Sequence, residues 1–340
     1  MKTMKIKSIS FVALTVLAFN VQAYEGQITV HVADENGLAV SDAQTVVQLE
    51  NILPPGEGWG SGRPTETNGL TDTNGNYVIT GNSTGGSVSV AVRKDGYYYG
   101  NGGTAFTNVI LNRWQPWNPT VEVVLQKKGV QVPMYARRVR DIKIPAKDKP
   151  MGFDLTAGDW VAPYGKGTTA DFVFQVEVKP TRWITNWYGT SPRPYPLQDN
   201  KMIVSFSDDG DGIQSAAPLP RGFRVARQAP SEGYKPVLEK TQYDETVGMV
   251  HQNTEIQHHT NLSKNENYFF RVRTKKDAQG NIVSALYGKI YGEFNNGGGI
   301  GDTVSFDYYL NPEPNSLDME FDPSRNLFKK LSFMEKVSAP

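Results

Sequence analysis

The chain of 340 residues contains no cysteine. No disulfide can brace it, and no lipid can be attached at a cysteine behind its N-terminal leader, so stability has to come from apolar cores. Cationic excess is also missing, since 35 Lys and Arg stand against 35 Asp and Glu. That balance argues against a nucleic-acid partner, because phosphate binding relies on a basic surface. The locally basic Arg137-Arg-Val-Arg140 runs on into Asp141 and Lys143 in strand-like alternation and reads as a solvated strand face. No long segment repeats its apolar residues with a period of 3.6; the stretch from Pro323 to Glu335 is the one helix candidate.

Long apolar runs are absent except at the start. Three lysines (Lys2, Lys5, Lys7) precede Ile9-Ser-Phe-Val-Ala-Leu-Thr-Val-Leu-Ala18, and Val21-Gln-Ala23 follows. This is the layout of a secretory signal peptide over residues 1–23, with an apolar stretch too short to span a bilayer. The expectation is export to a secreted or periplasmic location, with cleavage before Tyr24 and no membrane insertion of the mature chain.

What is present is strand signal. Short alternating runs of Val, Ile, Thr, Tyr and Phe recur between Gly, Pro, Asn and Asp clusters, which predicts an all-β fold of two β-sandwich regions. The first, residues 24–128, holds Gln27-Ile-Thr-Val-His-Val-Ala33, Thr45-Val-Val-Gln-Leu49, Ser87-Val-Ser-Val-Ala-Val-Arg93 and Thr120-Val-Glu-Val-Val-Leu125. Turns at Glu35-Asn-Gly37 and Thr73-Asn-Gly75 supply residues that tolerate positive φ. The order Val32-Ala-Asp-Glu-Asn-Gly37, an apolar strand, Thr71-Asp-Thr-Asn-Gly-Asn-Tyr77 and Val90-Ala-Val-Arg-Lys-Asp-Gly-Tyr97 resembles the carboxypeptidase regulatory-like domain, a transthyretin-like sandwich. The resemblance implies an accessory module and no activity. An insertion, Pro54 to Pro64, is expected as a long exposed loop.

Residues 129–150 read as a charged, proline-bounded connector with one strand-like segment, Val139 to Ile144. A second β region follows over 151–322, with 323–340 as a C-terminal tail. Its candidate strands include Asp171–Val178, Met202–Phe206, Gly222–Ala226, Tyr268–Arg273, Leu286–Tyr291 and Thr303–Tyr309. Within it, residues 202–291 resemble a fibronectin type III domain: Leu262 precedes Tyr268 by six residues, and Tyr268, Phe270 and Val272 alternate into a strand. The resemblance implies that the Tyr268 hydroxyl bonds backbone upstream. One larger jelly-roll-like sandwich remains the alternative.

Chemistry is sparsely marked. Gly81-Asn-Ser-Thr-Gly85 fits G-x-S-x-G, yet strands on both sides replace the strand-to-helix turn a nucleophile needs. His251, His258 and His259 lie close together without a carboxylate at ligand spacing, and His31 sits in the first strand as a structural residue. Asp208, Asp209 and Asp211 in Ser207-Asp-Asp-Gly-Asp-Gly212 offer oxygen ligands for calcium but lack the length and closing glutamate of an EF-hand; a tight turn accounts for them as well. No cofactor or metal site is assigned.

Tryptophans remain. Trp59 lies in the glycine-rich insertion, Trp114 and Trp117 in the proline-broken Asn112-Arg-Trp-Gln-Pro-Trp-Asn-Pro119, and Trp183 and Trp187 in the similar segment Thr181 to Tyr195. Loop aromatics can stack on sugar rings while polar neighbours bond hydroxyls. Taken together, the sequence points to an exported, non-catalytic binding or surface-interaction protein, of a bacterial surface kind. Its expected partner is an extracellular glycan or another surface protein. The rival reading is a structural envelope or matrix component; a hydrolase would need close carboxylates or a serine beside a histidine.

Overall fold

The computed structural model describes residues 21–53, 62–147, 149–188, 191–219, 223–251, 253–263, 265–295 and 299–340. The fold is all-β. Two compact units divide the chain, Met1–Lys127 and Lys128–Pro340. Most of the expected leader, residues 1–20, lies outside the described residues, as do 54–61 of the insertion. Among the described residues no helix is long and apolar enough to cross a membrane.

The first unit contains β1 (Tyr24–Asp34), β2 (Gln44–Leu49), β3 (Thr65–Leu70), β4 (Asn76–Ser83), β5 (Ser87–Arg93), β6 (Gly100–Ala105), β7 (Asn108–Ile110), β8 (Arg113–Gln115) and β9 (Thr120–Leu125). One sheet runs β4-β1-β8-β7, with β9 also paired to β1, and the other runs β3-β2-β5-β6. Alternation explains the core: Ile28, Val30 and Val32 from β1 and Val121, Val123 and Leu125 from β9 meet Val47 and Leu49 from β2 and Val88, Val90 and Val92 from β5. Successive side chains of a strand point to opposite faces, so these residues share one layer. The turn Asp72–Gly75 is closed by the Asp72 carboxylate, which accepts from the Asn74 and Asn76 N–H groups. Gly75 at its end has φ +76°, and a Cβ there would stand 2.4 Å from the Val32 carbonyl oxygen. Only glycine fits that approach.

The second unit contains β10 (Gln131–Val132), β11 (Tyr135–Lys143), β12 (Met151–Asp154), β13 (Asp159–Trp160), β14 (Phe172–Tyr188), β15 (Ser191–Ser205) and β16 (Gly212–Ser215). It continues with β17 (Val237–Val250), β18 (Asn253–Thr260), β19 (Asn267–Lys276), β20 (Ile282–Tyr291), β21 (Thr303–Leu310) and β22 (Glu320–Phe321). One sheet has the order β11-β21-β20-β19-β16 and the other β13-β12-β14-β15-β17-β18. Between them lies an aromatic core in which the Phe172 ring packs against those of Phe174, Phe206, Phe270, Phe294 and Phe306. The outer face of the first of these sheets is covered as well. Phe269, Tyr287 and Tyr309 meet Val225, Met319, Phe321 and Val337 there, contributed by segments with little regular structure.

Several expectations change here. Residues 129–150 are no mere connector, because β11 pairs with β21 and places Ala136 and Val139 in the cores. Residues 202–291 supply strands to both sheets and share their core with Phe153, Phe172 and Phe306 outside that range. Phe223–Ala226 forms no strand, and Pro323 to Glu335 forms two short 3-10 turns, Pro323–Arg325 and Phe333–Glu335. The Tyr268 hydroxyl donates to the Glu293 carboxylate at 2.8 Å, where an upstream carbonyl had been expected. A buried acidic oxygen within reach is the stronger acceptor.

Candidate functional site

The far ends of β14 and β15 leave the sandwich as a hairpin arm, and those of β17 and β18 form a second arm beside it. The β14–β15 ladder shifts register between Pro180 and Arg182 and continues to Tyr188 opposite Ser191. Prolines fill alternate positions of β15 at 192, 194 and 196. Alternate N–H groups of a strand point to opposite edges, so three prolines two apart remove donors from one edge only. The ladder to β14 passes them unbroken, which makes the depleted edge the outer one. Consistent with that, β17 pairs with β15 only over Asp199 to Ser205 and then turns to β18 alone.

Directly opposed residues of a ladder point to the same face. Trp183 stands opposite Pro196, Thr185 opposite Pro194 and Trp187 opposite Pro192. The intervening residues face the other arm: Arg182 donates to the Thr246 hydroxyl at 3.2 Å, and Asn186 accepts from the Thr254 N–H at 3.0 Å. The Asn253 side chain closes the contact, receiving the Trp187 N–H and donating to the Trp187 carbonyl. Trp183 and Trp187 therefore face outward, 62% and 39% exposed. Four residues apart on one strand, they are about 13 Å from each other along it. The result is a stiff apolar strip of two indoles and three prolines.

The structure separates the sequence candidates. Trp59 lies outside the described residues. Trp114 is a correction, because it sits in the short strand β8, half-buried against the first core, where a loop aromatic was expected. Its ring stacks on Phe106 at 5.8 Å and meets Tyr24 edge-on, and its Nε1 donates to the Ser83 carbonyl. Strand β8 is too short for its alternation to be read, and the flanking prolines hid it. Trp117 is 36% exposed with the Arg113 guanidinium 4.9 Å from its ring centroid. Trp114 and Trp117 belong to the first unit, Trp183 and Trp187 to the second.

The remaining candidates are held by the fold. Ser83 is buried and donates to the Gly85 carbonyl. His258 bonds Asp244 at 2.7 Å and His259 bonds Glu245 at 3.0 Å, across the β17–β18 hairpin. Among the described residues no group of three metal-capable side chains assembles. Asp211 accepts from the Arg273 and Thr274 N–H groups, and burial pushes its carboxyl up while those bonds oppose it. Asp209 pairs with Lys276.

Sequence reasoning missed a buried cluster in which Arg273 forks onto Asp171 and reaches Asp154. Burial raises the Asp171 carboxyl, with Arg273 pulling against it. Burial also acts on Asp154, but bonds from Thr168, Thr156, Ala157 and Thr169 outweigh it and hold that carboxyl well below the usual range. Carboxylates pushed apart in this way invite an acid–base reading. Here both oxygens of each are already engaged by protein donors, so the cluster reads as a clamp between β12, the residue that precedes β14, and β19. Its residues lie far apart in sequence, and no local motif announces it.

No family model and no curated protein matches the chain. Among solved structures, a 3-chlorocatechol 1,2-dioxygenase from Rhodococcus opacus 1CP aligns over 36% of this chain and 71% of its own, at 10% identity and a TM-score of 0.23. A likeness of that degree carries no argument about chemistry.

Proposed function

We propose that the chain is an exported, non-catalytic binding protein and that the outward strip of the β14–β15 arm contacts its ligand, an extracellular glycan. The observation that carries this reading is the exposure of Trp183 and Trp187 on one face, backed by proline rungs. Indoles left in water on a rigid ladder gain when an apolar surface covers them, and the faces of sugar rings provide one. Prolines keep the strip ordered before binding, which lowers the entropy lost on association. The leader-like residues 1–23 support export. A structural role in an envelope or matrix is the second reading, favoured by Val247, Met249 and Val250, which are exposed at the end of β17.

A glycan array probed with the purified chain tests the first reading. Trp183→Ala and Trp187→Ala should each weaken the bound glycan by about 2 kcal/mol, roughly thirtyfold. A blank array, or binding that survives both substitutions, overturns the glycan reading and leaves the structural one.

A further inference from the structure

A cavity of about 820 Å³ opens on the second unit, with neither Trp183 nor Trp187 in its lining. Its floor is one row of the sheet. Arg138 of β11 pairs with Asp307 of β21, Asp307 with Tyr291 of β20, and Tyr291 with Asn267 of β19. The neighbours Val139 and Phe306 point into the aromatic core, so this row faces the opposite side. One row further along, Ala136, Tyr309, Lys289 and Phe269 are buried under the irregular layer that covers this face. Phe223 and Arg224 of that layer line the cavity.

Three arginines line it, Arg138, Arg140 and Arg224. Arg138 is committed: its fork holds both oxygens of Asp307 at 2.9–3.0 Å. Arg140 also lines the cavity, since it stands two residues beyond Arg138 on β11 and shares its face. Arg224 lies 5.5 Å from the Tyr291 ring centroid. Neither Arg140 nor Arg224 makes an ion pair in the described residues. Burial raises the Asp307 carboxyl, and the charges of Arg138, Arg140 and Arg224 all pull against that rise. Among the described lining residues three arginines stand against Asp141, Glu293 and Asp307; Arg138 is taken up by Asp307, and Lys240 pairs with Glu293.

The geometry points to a second binding site in this cavity, for a small polar monoanion whose carboxylate is held by Arg140 and Arg224, with uronic acids as the ligand class. Arg140 and Arg224, which form no ion pair among the described residues, suit a single carboxylate. Guanidinium forks match a carboxylate's two oxygens. Pro218 and Leu219 offer apolar wall for a sugar ring, and the exposed Asn265 offers an amide for its hydroxyls. None of the arm's residues takes part, so this site stands or falls independently of the proposed glycan strip.

Calorimetric titration of the purified chain with galacturonate, galactose and inorganic phosphate tests it. Galacturonate should bind at least tenfold more tightly than galactose or phosphate. Arg140→Gln and Arg224→Gln should each weaken galacturonate roughly tenfold or more, as loss of a charged hydrogen bond does, while Arg224→Lys should retain part of the affinity. Both arginines are exposed, and an unchanged unfolding midpoint confirms that the variants fold. Trp183→Ala should leave this titration unchanged. Equal binding of galactose, tighter binding of phosphate, loss of galacturonate in Trp183→Ala, or full affinity in both glutamine variants overturns the proposal.

Discussion

Strand β14 has two halves that share one hydrogen-bonded ladder and little else. In the near half Phe172, Phe174 and Val176 are buried in the aromatic core; in the far half Trp183 and Trp187 face water. Strand β15 divides in the same way, with Met202 and Val204 buried, Pro192 and Pro194 exposed and Pro196 half-buried. Backbone pairing thus fixes where the far half goes, while side-chain burial in the near half supplies the stability that holds it there. An arm anchored in this way can present apolar residues to solvent without risk to the fold.

The largest effect should come from the near half. Phe172→Ala removes the ring at the centre of the core and should cost about 3–5 kcal/mol in denaturant unfolding; a loss under about 1 kcal/mol would show that the anchor lies elsewhere. Next comes Tyr268→Phe, which keeps the packing and removes the bond to the buried Glu293, at about 2 kcal/mol. An unchanged midpoint would mean that Lys240 and the backbone hold Glu293 without it. The smallest effect belongs to the far half: Trp183→Ala should shift stability by no more than about 0.5 kcal/mol. A larger loss would erase the contrast between anchor and arm.

Local features of the fold were legible in the sequence. Alternation at Ile28, Val30 and Val32 and again at Val88, Val90 and Val92 marked strands, and Asn74-Gly75 marked a turn, because each signal is written within a few residues. What was not legible depends on distant partners. The basic run Arg137–Arg140 read as a solvated face because nothing near it announces Asp307, which receives Arg138 across 169 residues. Trp114 read as a loop aromatic because the Phe106 and Tyr24 rings that cover it come from distant parts of the chain, one just after β6 and the other at the start of β1. The reverse holds for Trp183 and Trp187. Their segment was read as a proline-broken loop, although proline is tolerated along a free strand edge.

The pairing of β11 with β21, and of Gln131 with Glu320, also sets a schedule for synthesis. The first unit can close as soon as β9 emerges, since Thr120 to Leu125 complete its sheet against β1. The second unit cannot. Its opening strand must wait, unpaired, while nearly the whole remainder of the chain is made, and such non-local closure is slow. During that interval β11 exposes Val139 and two open edges, which is the condition under which chains aggregate or are held by chaperones. A ribosome-bound chain halted once β9 has left the exit tunnel should therefore carry a finished sandwich, whereas one halted when only β20 has left it carries a nearly complete second unit with no partner for its first strand.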